Sequence, residues 1–226
     1  MKTIVVAGSS KGIGMQCAAQ LMAEGHRVIG ISRTPSDNVS LHIAADILED
    51  ELPPINETID GIIYCPGTIN LRPFRALKAN DFRADFDTSI IGAVKILQHL
   101  LPALQKSSSP AIVLFSTVAV QTGMPFHASV AAAKGAVEGL TRSLAAEWAP
   151  KIRVNCIAPS LTDTPLAARL LDTDAKRQAS ADRHPLKMVG DSSNIAAMAC
   201  FLLSSNADFI TGQVIKMDGG ISSVKI

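Results

Sequence analysis

Three glycines near the start of the chain have the spacing of a phosphate-binding turn. Residues 7–14 read AGSSKGIG, with Gly8, Gly12 and Gly14 in a G-x-x-x-G-x-G pattern. Glycines between a strand and a helix let the backbone approach a pyrophosphate, and the first turn of the helix then offers free amides and a partial positive charge. We therefore predict that a dinucleotide binds here, with an ordinary tight turn between strand and helix as the alternative.

Charged residues near this turn indicate which dinucleotide binds. A site for NAD usually has an acidic residue at the end of the second strand, where it holds the ribose hydroxyls. Here that strand ends GISRT, which puts Arg33 at or next to the acidic position, and Lys11 lies inside the glycine turn. Two cations suit a 2′-phosphate, so we favour NADP over NAD, with two solvated surface charges as the alternative. Asp46, at the end of the third strand, either accepts a hydrogen bond from the adenine amino group or is simply solvated.

The order of apolar segments predicts the fold that positions these residues. Short runs rich in Val and Ile alternate with longer helical patterns, and most runs do not alternate with polar residues, which is typical of parallel strands buried on both faces. The predicted strands are 4–7, 28–31, 41–45, 61–65, 111–115, 154–157 and 214–217, and the predicted helices are 13–24, 81–101, 130–148 and 195–203. Pro102 and Pro150 are expected just past the ends of two helices. We predict a single doubly wound α/β domain.

Composition and charge argue against several classes of function. Hydrophobic residues make up 47% of the chain and charged residues 18%, which suits a large core and argues against disorder. A net charge of +1 offers no footprint for a nucleic acid or a membrane surface, so we expect neither as a partner. The cysteines have no metal-ligand spacing, so we expect reduced thiols in a cytoplasmic protein, and no metal site. They are Cys17, Cys65, Cys156 and Cys200.

Several motifs together resemble the short-chain dehydrogenase/reductase family, of the kind that includes the 3-oxoacyl-carrier-protein reductases. AGSSKGIG is similar to the family's TGxxxGIG turn, DGIIYCPG at 60–67 stands in the place of its NNAG segment, and ITGQVIKMDGG at 210–220 is similar to its C-terminal ITGQ-x-x-x-x-DGG. The resemblance covers nearly the whole chain. It implies a Rossmann-like seven-stranded parallel sheet, and a homodimer or homotetramer formed through the long helices at 81–101 and 130–148.

The same resemblance implies a catalytic tetrad that this chain keeps only in part. In the family, a tyrosine gives its proton to the substrate carbonyl. A lysine four residues later, on the same helical face, binds the nicotinamide ribose and lowers the tyrosine pKa. Lys134 occupies the lysine position, whereas Val130 occupies the tyrosine position. Thr117 takes the serine position and keeps a hydroxyl, and Ser89 takes the asparagine position, where it could hold a water molecule.

The change at Val130 has the largest expected effect, because valine neither donates nor accepts a proton. Losing a positioned acid costs on the order of 10²–10⁴ in rate, although proximity alone leaves residual hydride transfer. Three residues are possible substitutes. Tyr64 is the single tyrosine, and the family template puts it beside the cofactor; His127 lies three residues before Val130; Lys134 itself can act if burial lowers its pKa. For His127, an exposed loop histidine is the favoured alternative.

The resemblance also implies the cofactor contacts of the remaining loops. Pro159 is retained from the family's PG motif, with Ser160 in place of the glycine. Thr162 and Thr164 fall where the family's loop holds the nicotinamide carboxamide, with the capping of turns as the alternative. The full set of predicted cofactor contacts is Gly8, Ser10, Lys11, Gly12, Ile13, Gly14, Arg33, Asp46, Ile47, Cys65, Gly67, Lys134, Pro159, Thr162 and Thr164.

The segment from about 160 to 193 is the least regular in pattern, and it follows the end of a strand. Because open α/β sheets bind ligands outside the carboxyl ends of their strands, we predict that this segment is a lid over a modest substrate pocket.

The sequence supports two hypotheses about function. The first is an NADP-dependent oxidoreductase with a degenerate tetrad, which moves a hydride between nicotinamide and a carbonyl, hydroxyl or quinone substrate. The second is an inactive NADP(H)-binding protein that acts as a sensor or scaffold.

Overall fold

Seven apolar segments form one parallel sheet in the computed structural model, which describes residues 1–225. The strands, with two short ones that pair apart from the sheet, are β1 (Thr3–Ala7), β2 (Arg27–Ser32), β3 (Leu41–Ala44), β4 (Gly61–Tyr64), β5 (Ala111–Phe115), β6 (Arg153–Pro159), β7 (Thr162–Asp163), β8 (Gly190–Asp191) and β9 (Val214–Met217). The order across the sheet is β3-β2-β1-β4-β5-β6-β9. This confirms the predicted doubly wound sheet. The order reverses between β1 and β4, which is where such sheets open a crevice for a ligand.

Helices cover both faces of the sheet. They are α1 (Gly12–Ala23), α2 (Ala79–Phe86), α3 (Gly92–Leu104), α4 (Ala119–Thr122), α5 (Ala128–Trp148), α6 (Asp174–Asp182) and α7 (Ser192–Leu203). The four predicted helices are present. The one predicted at 81–101 is longer and is interrupted, because a π-helical turn at Asp87–Ile91 separates α2 from α3.

Two apolar layers hold the sheet, one on each face. Alternate residues of a strand enter opposite layers: Val5 of β1 packs in the layer of α3 and α5, whereas Val6 packs in the layer of α1 and α7. In β4, Ile62 and Ile63 divide in the same way. These strands are therefore buried on both faces, which is why their sequence does not alternate between apolar and polar residues.

The sequence pattern predicted that Pro102 follows the end of its helix, and this prediction is wrong. It lies inside α3, which continues to Leu104, and the Gln105 amide still bonds to the Leu101 carbonyl at 2.9 Å. Proline lacks an N–H group, so it removes one helical hydrogen bond. Because only part of a turn follows, the helix tolerates the loss. Pro150, in contrast, follows the end of α5 at Trp148 as predicted.

The predicted lid is more regular than its sequence suggested. Residues 160–193 contain β7, a 3-10 turn at Pro165–Leu170, α6 and β8. Thr173 caps α6 by accepting a hydrogen bond from the Lys176 amide at 3.2 Å. The β7–β8 pair joins the two ends of the segment. The segment predicted as a lid is therefore a small folded lobe attached to the carboxyl end of β6.

Candidate active site

The glycine turn between β1 and α1 leaves the first turn of the helix open. Gly8 has a left-handed backbone, with φ of 79°, which favours glycine. A β-carbon at Gly14 would collide with the Gly8 carbonyl oxygen, so the helix can pack this closely on the turn only with glycine there. Lys11 precedes α1, and no side chain of the described residues caps the helix. Its first amides are free to bind an anion.

Arg33 and Asp46 lie next to each other at the ends of β2 and β3. Arg33 Nη1 is 3.6 Å from Asp46 Oδ2, and the arginine side chain is 78% exposed. Asp46 Oδ1 also accepts a hydrogen bond from the Leu48 amide at 3.0 Å. The exposed guanidinium thus keeps donors for an anionic ligand. Ile47 packs its side chain in the core, so only its backbone is available for the cofactor contact predicted there.

A cavity of about 330 Å³ lies beside the glycine turn, at the carboxyl ends of β4, β5 and β6. The predicted site residues that line it are Ile13, Cys65, Gly67, Thr117, Lys134, Pro159, Thr162 and Thr164. The predicted residues outside its lining are Gly8, Ser10, Lys11, Gly12, Gly14, Arg33, Asp46, Ile47 and Ser89. Except for Ser89, this second group lies at the glycine turn and the ends of β2 and β3. The predicted contacts are therefore divided between the cavity, the glycine turn and the ends of β2 and β3.

Lys134 is buried in the cavity wall, with its side chain against β4 and β5. Its Nζ donates to the Phe115 carbonyl oxygen at 3.0 Å. A β-carbon at Gly67 would lie 3.3 Å from this amine, so the glycine leaves room for it. Burial lowers the pKa of Lys134, while nearby thiols and the Asp85 carboxylate act in the opposite direction. Within residues 1–225 the amine has one acceptor, which leaves two of its three N–H groups for a ligand.

Val130 lines the same cavity, one helical turn before Lys134 on α5. Residues four apart lie on the same face of a helix, and Val130 is buried. The position where the family resemblance expects a tyrosine hydroxyl is therefore an apolar part of the cavity wall.

The other two positions of the expected tetrad differ in their access to the cavity. Thr117 lines it, and its hydroxyl oxygen accepts from the Ala119 amide at 3.3 Å, so the hydroxyl proton remains free to donate. Ser89 is buried inside the π-helical turn and does not line the cavity. The structure thus brings Thr117 and Lys134 to one cavity, but not Ser89.

Tyr64 is not beside the cavity, contrary to the expectation from the family template. Its side chain packs in the apolar layer of α3, where its hydroxyl donates to the Thr88 carbonyl oxygen at 2.6 Å. Burial raises the pKa of Tyr64. Because a β-carbon at Gly92 would collide with this hydroxyl, the glycine makes room for it. Tyr64 supports the π-helical turn and is not placed to protonate a ligand in the cavity.

Thr162 and Thr164 both line the cavity and both make local hydrogen bonds. Thr162 Oγ1 donates to the Ser160 carbonyl at 3.0 Å, and Thr164 Oγ1 accepts from the Ala167 amide at 3.4 Å. The capping role considered for them is therefore present. Thr164 also approaches the glycine turn, since a β-carbon at Gly12 would lie 3.4 Å from the Thr164 β-carbon. The loop after β6 closes the cavity against the turn.

Two histidines also line the cavity. His127 is half-buried, with Nδ1 2.7 Å from the Pro125 carbonyl oxygen. His184 is only 2% exposed; its Nε2 lies 2.8 Å from Ser160 Oγ, and its Nδ1 lies 2.8 Å from the Ser180 carbonyl oxygen. His184 was not predicted from the sequence, because no motif spacing connects it to the residues of α5. Its position in the predicted lid was the only available signal.

In the part of the chain that the structure describes, no group of three or more His, Cys, Asp or Glu side chains is arranged to hold a metal ion. None of the helices within residues 1–225 is long and apolar enough to cross a membrane. All four cysteines are free thiols; Cys65 is partly exposed at the cavity and the others are buried.

Known proteins share both the sequence pattern and the fold. A family model described as enoyl-(acyl carrier protein) reductase matches residues 37–222. A tropinone reductase homolog of Arabidopsis thaliana is 30% identical over an alignment that covers 96% of this chain and 92% of the relative. A short-chain type dehydrogenase/reductase from Mycobacterium ulcerans matches with a TM-score of 0.88 and 27% identity, over 98% of this chain and 90% of that structure. The structure of ElxO with NADP bound matches with a TM-score of 0.86 and 25% identity, over 99% of this chain and 100% of that one.

The placement of Tyr64 can be tested by a double-mutant cycle with Gly92. We expect Tyr64→Phe to lower the free energy of unfolding by about 1 kcal/mol, because the Thr88 carbonyl loses its buried donor. Alanine is favoured over glycine within a helix by about 1 kcal/mol. Gly92→Ala should nevertheless destabilise the wild type, because the new methyl group meets the Tyr64 hydroxyl, and should cost much less in the Tyr64→Phe protein, where the nearest ring carbon lies 3.3 Å away. Urea unfolding of the four proteins measures this coupling. An equal effect of Gly92→Ala in both backgrounds would contradict the placement.

Proposed function

Because the chain belongs to the short-chain dehydrogenase/reductase family of oxidoreductases, we propose that it is an NADP-dependent oxidoreductase. In this proposal, it transfers a hydride between the nicotinamide and a carbonyl, hydroxyl or quinone group of a small molecule. The observation that carries the proposal is Lys134. An ammonium group is costly to bury, and here it lies in the wall of the ligand cavity with two donors unused by the described residues. That arrangement suits the binding of ribose hydroxyls.

The residues present fit a nicotinamide dinucleotide. The uncapped first turn of α1 and the left-handed backbone at Gly8 suit a pyrophosphate. Lys11 and Arg33 are exposed cations near the crevice between β1 and β4, which suits a 2′-phosphate. ElxO, a similar chain, has been solved with NADP bound. Asp46 beside Arg33 keeps NAD as the alternative cofactor, because a carboxylate there can also hold ribose hydroxyls.

The chemistry divides between the cofactor and the chain. The nicotinamide, when bound, supplies or accepts the hydride. In our proposal Lys134 holds the ribose through the two N–H groups that Phe115 does not use, and the free hydroxyl proton of Thr117 orients the substrate carbonyl. Val130 contributes packing and no proton. The remaining wall is largely apolar, which excludes water and favours a small substrate with apolar substituents. The residues that form it include Ile69, Leu71, Met124, Leu166 and Leu170.

A second candidate function is a protein that binds NADP(H) without turning it over, as a sensor or scaffold. Two observations favour it: the apolar side chain of Val130 in the cavity wall, and the absence of Ser89 from the cavity lining. Both candidates require the same cofactor site, so they differ only in whether a hydride moves.

We also propose that the protein forms a homodimer or homotetramer and works in the cytoplasm, where its four thiols would stay reduced. The exposed apolar side chains Phe86 and Ile91, at the junction of α2 and α3, support association through this helical layer. We expect light scattering to give the mass of a dimer or tetramer. A monomer over the whole micromolar range would contradict this proposal.

The preference for NADP can be measured directly. We expect the wild type to bind NADPH about tenfold more tightly than NADH, a difference of roughly 1.4 kcal/mol. Arg33→Ala and Lys11→Ala should weaken NADPH binding and leave NADH binding nearly unchanged, because only NADPH carries the 2′-phosphate. Nucleotide fluorescence gives both affinities. Arg142→Ala is the matched control, since this arginine is exposed on α5 and lies outside the cavity lining. Equal affinity for the two nucleotides, unchanged in Arg33→Ala, would contradict the assignment.

The choice between the two functions depends on turnover by the wild type. We expect the wild type to oxidise NADPH in the presence of diacetyl or phenanthrenequinone, because the cavity retains Lys134 and Thr117 and the activated carbonyl groups of these substrates accept a hydride readily. Val130→Tyr, assayed in parallel, tests whether the cavity accepts the family's acid. NADPH binding with oxidation only in Val130→Tyr would contradict the first function and favour the second.

A further inference from the structure

We propose that Ser160 and His184 together supply the proton that Val130 cannot supply, an inference that rests on the proposed oxidoreductase function. Both side chains line the cavity that holds Lys134 and Val130. Ser160 Oγ lies 2.8 Å from His184 Nε2. The two residues therefore form a hydrogen-bonded pair in the wall of the cavity, and Ser160 stands where the resembling family has a glycine.

The second ring nitrogen determines how this pair can move a proton. His184 Nδ1 lies 2.8 Å from the Ser180 carbonyl oxygen. A carbonyl oxygen only accepts hydrogen bonds, so Nδ1 carries its hydrogen whether the ring is neutral or cationic. Nε2 is then the nitrogen that gains and loses a proton, and it is the one next to Ser160 Oγ. An acid–base histidine requires this arrangement, with one nitrogen held and the other directed at the group that reacts.

Backbone contacts on both sides hold the pair in place. Ser160 follows the last residue of β6, and its amide donates to the Met217 carbonyl at 3.1 Å. The His184 amide donates to the Ala181 carbonyl at 2.9 Å, at the end of α6. The segment after β9 packs against the ring, since a β-carbon at Gly219 would lie 3.3 Å from the His184 β-carbon. The ring is thus shielded from solvent, and its position is set by the sheet, the lid and the C-terminal segment.

The proton transfer balances as follows. In reduction, the hydride forms the new C–H bond at the carbonyl carbon, and the π electrons of the carbonyl move to its oxygen. That oxygen takes the hydroxyl proton of Ser160, and Ser160 Oγ takes the Nε2 proton of the cationic His184. His184 ends neutral, with its Nδ1–H still bonded to the Ser180 carbonyl oxygen. Once the product has left, Ser160 passes its hydroxyl proton to Nε2 and takes a proton from water in the cavity, which returns the ring to its cationic form. Oxidation of an alcohol runs through the same steps in reverse.

His127 serves as the internal comparison. It lines the same cavity but is only half-buried, and within residues 1–225 its ring bonds only to the Pro125 carbonyl oxygen. It has neither the buried position nor the hydroxyl partner of His184. If catalysis needed only some histidine in the cavity, either residue could serve. The proposed relay instead needs the hydrogen bond to Ser160, which only His184 makes within residues 1–225.

The first test compares His184→Gln with His127→Gln, using NADPH and either diacetyl or phenanthrenequinone. Glutamine can keep a hydrogen bond to Ser160 but cannot titrate. We expect kcat to fall about 100-fold in His184→Gln and to change by less than about threefold in His127→Gln, with the KM of the carbonyl substrate and the Kd of NADPH nearly unchanged in both. Added imidazole should restore part of the kcat of His184→Ala. If His184 only holds the lid against the sheet, its substitution should instead raise the KM of the carbonyl substrate and the Kd of NADPH, and imidazole should not restore the kcat of His184→Ala.

The second test needs no turnover and no cofactor. Nitrogen NMR of isotope-labelled histidine should show His184 with Nδ1 protonated, and Ser160→Ala should shift the Nε2 resonance only. A neutral ring protonated at Nε2 and not at Nδ1 would overturn the proposed relay.

The outcomes also separate this inference from the function on which it rests. Wild-type turnover that persists in His184→Gln would overturn the relay and leave the oxidoreductase standing. If the wild type binds NADPH but does not oxidise it, and only the Val130→Tyr variant shows turnover, both the wild-type activity and the relay are overturned. A wild type that does not bind NADPH at all would overturn the proposed function, and the relay with it.

Discussion

The buried ammonium of Lys134 is the constraint on which the rest of the site depends. A charged amine taken out of water costs several kcal/mol unless polar groups compensate it. Here the Phe115 carbonyl at the end of β5 accepts one of its protons, and Gly67, after β4, leaves the space that the amine occupies. The ends of two neighbouring strands and one face of α5 must therefore meet at this point. The parallel register of β4 with β5 brings them together, and the cavity is the space that remains in front of the amine.

Around this amine, the two halves of an oxidoreductase site have different characters. The half that suits a dinucleotide combines the glycine turn, the open first turn of α1 and the exposed cation Arg33. The half that would act on a substrate has an apolar wall at Val130, and its titratable groups come from elsewhere in the chain. The lid supplies His184, and the end of β6 supplies Ser160. In this account, proton transfer has moved from the helix that carries Lys134 to the junction between sheet and lid.

Local patterns in the sequence were enough to predict the sheet, because strands buried on both faces require unbroken runs of Val and Ile. The expectation that Tyr64 lies beside the cofactor was wrong, and the alternation of residues along β4 was enough to avoid this error. Successive residues of a strand point to opposite faces, and Tyr64 shares its face with Ile62, which lies in the core under α3. His184 could not be predicted in this way. Its contact with Ser160 depends on the path of the whole lid, and no local spacing records that path. The prediction for Pro102 was wrong because a proline in the last turn of a helix removes one hydrogen bond without ending the helix at that residue.

The central claim is that this protein still transfers a hydride although Val130 stands four residues before Lys134, where its family has a tyrosine. The most direct measurement uses NADPH deuterated at C4 of the nicotinamide, in both stereoisomers, with diacetyl and the wild-type protein. Mass spectrometry of the alcohol product then reports whether the label has moved. The account predicts a deuterium atom on the carbinol carbon from one stereoisomer and none from the other. Binding of the nucleotide with the label retained in it, and no alcohol formed, would contradict the claim.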